Sequence, residues 1–190
     1  SPVSETESIL ELYESRGFQR YDRASMSAPR EVIEALKDPV LDDEYEFGVY
    51  DESMRDKVAE LILSANTGTI DEKVFPDLFG SLELSYGLAK RTEESVYGEY
   101  KEGQSKIVKK NGQIIALCFM TLRQNEAGYI PEICVHPSHK RKGLGKSILV
   151  YTLKEFLREE EDIDEIRLDV TLANPARYIY DWAGFKETRI

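Results

Sequence analysis

The segment Val135-His136-Pro137-Ser138-His139-Lys140-Arg141-Lys142-Gly143-Leu144-Gly145-Lys146 is the stretch from which the fold can be read. Its pattern predicts a strand ending near Val135, a basic glycine loop, and a helix opening at about Gly145. The first turn of a helix carries unpaired N–H groups and partial positive charge, so anions bind there. Glycines at 143 and 145 let the backbone come close to phosphate oxygens. Lys140, Arg141, Lys142 and Lys146 add positive charge to an otherwise acidic chain. A P-loop would need glycine at 140, which is Lys, and a dinucleotide fingerprint would need glycine at 148, which is Ile. A lone Gly-x-Gly is a weak signal, and a solvated basic loop is its plain alternative.

Working outward, a strand is predicted from Gly128 to Val135 and a helix from Gly145 to Arg158. The helix buries one face through Ile148/Leu149, Thr152/Leu153 and Phe156/Leu157. A strand follows from Ile166 to Thr171, then a last helix opened by Asn174-Pro175 and stopped at Gly184-Phe185. Upstream, Asn111-Gly112 joins two strands, Lys106–Lys110 and Gln113–Arg123, through a type I′ turn. Further back lie an irregular acidic stretch from Thr67 to Tyr100, an amphipathic helix from Met54 to Ser64, and a strand at Glu46–Tyr50. The result is a mixed α/β (α+β) domain on a largely antiparallel sheet.

Lys140-Arg141-Lys142-Gly143-Leu144-Gly145 resembles motif A of the GNAT superfamily, usually Arg/Gln-x-x-Gly-x-Gly/Ala. Asn174-Pro175-Ala176-Arg177-Tyr178-Ile179-Tyr180-Asp181-Trp182-Ala183-Gly184-Phe185 resembles its motif B. The order, the spacing and the intervening strand all fit, over roughly residues 45 to 190. Lys140 stands where the family has Arg or Gln. That departure should weaken binding rather than abolish it, and Arg141 could substitute. The resemblance implies a GNAT fold with splayed central strands flanked by helices, and acetyl-CoA as cosubstrate.

The resemblance also implies residue roles. Residues 140–146 (Lys140, Arg141, Lys142, Gly143, Leu144, Gly145 and Lys146) would cradle the pyrophosphate. Backbone groups of Cys134 and Val135 would pair with the pantetheine arm, and one N–H there would face the thioester oxygen. Asn174 would bind the arm from the other side, although Asn is also a favoured helix cap. Tyr180 matches the tyrosine that protonates the leaving thiolate, and Tyr178 or Trp182 would be core aromatics. Glu132 is the candidate base. A lone carboxylate in an apolar strand must be solvated, paired or working, and the surface or ion-paired alternative stays open. A lysine-like amine costs roughly 4–5 kcal/mol to deprotonate at neutral pH, so a base has work to do. His136 and His139 sit in the loop and are not favoured as base.

The whole reading is an N-acetyltransferase acting on a small-molecule or peptide primary amine by direct attack in a ternary complex. The rival is a non-catalytic, CoA-binding sensor or scaffold, for which Lys140 speaks and Asn174 and Tyr180 do not. Asp71 and the other acidic residues of 67–100 hint at a cationic acceptor. A net charge of −11 disfavours nucleic acid as a partner. No apolar run reaches membrane-spanning length, and no metal-ligand spacing appears. A homodimer is compatible with this reading. The two cysteines, Cys118 and Cys134, read as buried reduced thiols, which places the protein in a reducing cytoplasm.

Residues 1–43 are expected to be an N-terminal extension and 44–190 the GNAT acetyltransferase domain. Leu12-Tyr13-Glu14-Ser15-Arg16-Gly17-Phe18 repeats the pattern of Ile179 to Phe185, which suggests the tail of a preceding GNAT-like domain. Ser4–Met26 is therefore expected to be ordered and packed, with Gln19–Met26 able to pair as a strand and Tyr13 without a catalytic role.

Overall fold

The computed structural model describes residues 5–124 and 126–189. The first part of the chain forms α1 (Glu5–Ser15), β1 (Arg23–Pro29), α2 (Arg30–Glu34) and β2 (Glu46–Val49). The acidic region then forms α3 (Arg55–Asn66), α4 (Ile70–Val74), α5 (Pro76–Phe79) and α6 (Leu82–Glu93). Five short strands follow: β3 (Lys106–Lys110), β4 (Gln113–Cys118), β5 (Thr121–Arg123), β6 (Ala127–Tyr129) and β7 (Ile133–Val135). The chain finishes with α7 (Leu144–Glu159), β8 (Glu165–Thr171), α8 (Arg177–Trp182) and β9 (Lys186–Arg189).

Asn111 and Gly112 both take positive φ, 50° and 77°, as a type I′ turn demands. They hold β3 and β4 in antiparallel register. The strands form two sheets, in the orders β2-β3-β4-β7 and β5-β6-β8-β1-β9. All described pairs are antiparallel except β6 with β8.

The strands predicted at Gln113–Arg123 and Gly128–Val135 are each two strands, because the chain changes sheet inside both. The second change falls at Ile130-Pro131-Glu132. Pro131 has no N–H to give, so the ladder cannot run through it. On one side of the break Ile130 donates to the Arg167 carbonyl at 3.1 Å, in the second sheet. On the other, the Glu132 carbonyl accepts from Phe119 N–H at 2.9 Å, in the first. Apolar runs of this kind mark burial, and they do not say which neighbour a strand pairs with.

Alternate residues of β3 and β4 serve two cores. Val108, Ala116 and Cys118 meet Ile148, Leu149 and Leu153 of α7. Ile107 and Leu117 meet Val58, Leu61 and Ile62 of α3 and Leu88 of α6. The period of two along each strand puts helices on both faces.

Arg23–Pro29, assigned from the sequence to the N-terminal extension, lies inside the second sheet. It pairs with β8 over seven residues, Arg23↔Thr171 to Pro29↔Glu165, and with β9 on its other side. Of the segment expected to be packed, Ser4 lies outside the described residues. α1 corrects the expectation: Ile9, Leu12, Tyr13 and Phe18 are 50–62% exposed. Among the described residues its apolar stripe meets no other element strongly, and the Tyr13 ring lies edge-on to Phe18. The two similar helix ends do share their geometry. Phe18 N–H reaches the Tyr13 carbonyl at 3.2 Å and Phe185 N–H the Tyr180 carbonyl at 3.0 Å, with Gly17 and Gly184 at positive φ.

Candidate active site

β7 is an edge strand of its sheet, so the side turned away from β4 leaves backbone groups without a strand partner. β8 pairs with β6 only through Ile166 and Arg167, so its later half is open on that side. Between β7 and the segment that leads from β8 into α8 lies a cavity of about 550 Å³. Ile133, Cys134 and Val135 form one wall, and Ala173, Asn174, Ala176, Ile179 and Tyr180 form the other. Lys140, Arg141, Leu144 and Gly145 close one end, and Ala65, Asn66, Thr69 and Ile70 close the top.

The loop is built on two unusual backbones. Arg141 sits at φ 66° and Gly143 at φ 81°, which turns the chain sharply into α7. Gly145 has an ordinary backbone and a different reason to be glycine. A Cβ there would meet Ile179 Cδ1 at 3.0 Å, so its absence lets α7 and α8 close together beside the cavity. Lys140 reaches across to the Ala65 carbonyl at 3.2 Å. Lys142 and Lys146 leave the cavity: the first donates to the Tyr45 hydroxyl at 3.2 Å, and the second lies 4.2 Å over the Trp182 ring.

A sequence model described as the acetyltransferase (GNAT) family matches residues 72–185. The chain belongs to that family. Its fold resembles a GCN5-related N-acetyltransferase from Sphaerobacter thermophilus, with a TM-score of 0.67 at 15% identity, over 96% of this chain and 53% of that one. It also resembles a tandem GNAT protein from the clavulanic acid biosynthesis pathway, with a TM-score of 0.63 at 13% identity, over 98% of this chain and 57% of that one. A third is a functionally unknown conserved protein from Staphylococcus epidermidis, with a TM-score of 0.65 at 14% identity, over 100% and 66%. The chain thus spans just over half the length of the first of these structures. A search of the curated proteins finds no match.

Within this GNAT fold, Tyr180 is 8% exposed and lines the cavity, whereas Tyr178 and Trp182 are exposed, which corrects their reading as core aromatics. Burial, then the nearby Glu132 carboxylate, pushes the phenol well above its ordinary value, so it keeps its proton at neutral pH. Burial also pushes the thiol of Cys134 far up and that of Cys118 to about 12, which leaves both as un-ionised packing groups.

Glu132 does not line the cavity. Its carboxylate stands behind Asn66, whose amide donates to it at 3.4 Å. Removal from water pushes Glu132 up to about 8; the Asn66 hydrogen bond opposes this, and the Asp71 charge adds to it. Asn174 lines the cavity with its side chain already engaged. Its Oδ1 accepts from Ala176 N–H at 2.7 Å, a local turn just ahead of α8, and its Nδ2 donates to Asp71. The helix cap itself is Ala176, which corrects the capping alternative for Asn174.

Two residues of this cluster were not singled out from sequence, Asn66 and Thr171. Asn66 ends α3 and reads as a helix terminus, and Thr171 reads as an ordinary strand residue. His139 lines the cavity as well, with Nδ1 2.8 Å from the Tyr45 hydroxyl. Burial, and then Lys142, lowers its pKa. Among the described residues no three His, Cys, Asp or Glu side chains converge on a metal site, and no helix is long and apolar enough to cross a membrane.

Proposed function

We propose that the chain is an acetyl-CoA-dependent N-acetyltransferase that acetylates a primary amine by direct attack in a ternary complex. The observation that carries this reading is the open edge of β7 facing Asn174 and Tyr180 across the cavity, with the glycine loop and the start of α7 at its end. The free backbone groups of Cys134 and Val135 suit an extended amide-bearing arm, which would add to the edge like a strand. The N–H groups opening α7 suit a pyrophosphate. Acetyl-CoA would supply the activated acetyl thioester.

The chain's own groups would do the rest. Tyr180, neutral and buried, would give its proton to the departing sulfur. A backbone N–H of β7 would face the thioester oxygen and stabilise the charge that develops there. Glu132, near 8, has a basicity suited to taking the amine proton around neutral pH, and its place behind Asn66 calls for a water between it and the amine. Holding both reactants in one crevice would contribute more than either group. We place the protein in the cytoplasm on the strength of its two buried free thiols.

The test is a titration with acetyl-CoA followed by a thiol-release assay across a panel of amines: polyamines, aminoglycosides, amino acids and peptides. Binding with amine-dependent thiol release supports the enzyme. Binding without release from any amine would support the non-catalytic rival. No binding would overturn both.

A further inference from the structure

α4 belongs to the irregular acidic region, and it is tied to the far wall of the cavity by Asp71, in its first turn. The carboxylate accepts a hydrogen bond from Asn174 Nδ2, across the cavity from β7. Beside it, Arg23 of β1 lies 4.6 Å over the Phe75 ring that ends α4, and its charge faces Asp71. These two contacts fasten the helix that roofs the cavity to the wall that carries Asn174 and Tyr180.

The bond to Asp71 fixes which way the Asn174 amide points. Asn174 Oδ1 is held by Ala176 N–H at 2.7 Å, and Nδ2 is held by Asp71. An amide pinned at both ends cannot flip without losing both bonds. One N–H and one carbonyl lone pair remain free. The Thr171 hydroxyl, 1% exposed, lies beside the same carboxylate. Burial raises the Asp71 pKa, and Thr171, Asn174 and Arg23 oppose that rise.

We infer that Asp71 is a positioning residue of this site, which orients the Asn174 amide for the acyl donor. This inference rests on the proposed acetyl-CoA reading and adds a residue from outside the two motifs. The property that matters is an oxygen that accepts from Asn174 Nδ2. Asp71→Asn keeps such an oxygen, while Asp71→Ala removes it.

Acetyl-CoA is titrated calorimetrically into wild type, Asp71→Asn and Asp71→Ala, each checked for an unchanged far-ultraviolet spectrum. The alanine variant should bind roughly tenfold more weakly, since the Asn174 amide loses the acceptor that fixes its orientation, and the asparagine variant should bind within about threefold of wild type. Equal or tighter binding by Asp71→Ala, or a loss in Asp71→Asn as large as that in Asp71→Ala, overturns the assignment. The underlying reading fails on different data, a wild type that does not bind acetyl-CoA, and the inference then falls with it.

Discussion

Gly143 and Gly145 lie one residue apart and are glycines for unrelated reasons. An added Cβ at 143 meets nothing within 4 Å, so the cost of Gly143→Ala is the left-handed backbone alone, about 1–2 kcal/mol. It should appear as a lower urea midpoint in the ligand-free protein. Gly145→Ala keeps an allowed backbone and pushes Ile179 toward the cavity, so its main effect should be on acetyl-CoA affinity. At the same scale, Tyr180→Phe should lower turnover more than tenfold and leave acetyl-CoA affinity nearly unchanged, the pattern of a group used in the transition state. Steady-state kinetics beside a binding titration would show it, and equal turnover would remove Tyr180 from the mechanism. For Glu132 the folded-state value lies above the ordinary one, so folding favours the protonated carboxyl. Its contribution to stability is full below about 4.5 and is lost as pH rises toward 8. Glu132→Gln cannot titrate, so the fall in Tm between pH 5 and pH 8.5 should be smaller in the variant.

Among the elements, β1 and α1 adjoin in sequence and differ in what they bury. β1 inserts Ala24, Met26 and Ala28 into the core and fills the place between β8 and β9. α1 leaves its apolar stripe exposed. Removing residues 1–18 should therefore leave the thermal midpoint within about 2 °C, since exposed segments rarely carry stability. Removing residues 1–29 should prevent folding, because β8 would lose its seven-residue partner. Circular dichroism melts of the two truncations decide between these. A large loss from the shorter deletion would mean that α1 packs in solution. The repeat between residues 12–18 and 179–185 was legible as letters, and as shared hydrogen bonds at two helix ends. Its difference in burial was not legible, because local pattern does not say whether a neighbouring surface is there.

At the scale of the molecule, two sheets joined at Phe119–Met120 and Ile130–Glu132 diverge beyond those crossings, and the cavity is the space between them. A ligand lying between the sheets would tie them together. Saturating acetyl-CoA, at about a hundred times its dissociation constant, should add about 2.7 kcal/mol and raise Tm by roughly 5–10 °C for a chain this size. NAD and ATP at equal concentration should not, and a scanning-fluorimetry comparison is sufficient. Equal shifts from all three would mean that the loop is a general anion site.

The sequence by itself determined the longer helices, the principal turns and the family resemblance, while β9 was not legible in it. The glycine loop, the Asn-Gly turn and the helix ended by Gly184 are set by local backbone chemistry, which neighbouring residues fully specify. Hydrophobic period then fixes which faces are buried. Tertiary structure alone decided which strand lies beside which. It divided two predicted strands between sheets, one of them at Pro131, and placed β1, foreseen only as a strand able to pair, between β8 and β9. It also gathered Asn66, Asp71, Glu132, Thr171 and Asn174 around one crevice. Those five come from three stretches far apart in sequence, and a carboxylate's basicity depends on the water it loses and the charges it meets. Both are properties of the assembled crevice, so Glu132 could be named from its apolar strand while its approach through Asn66 and its dependence on Asp71 could not.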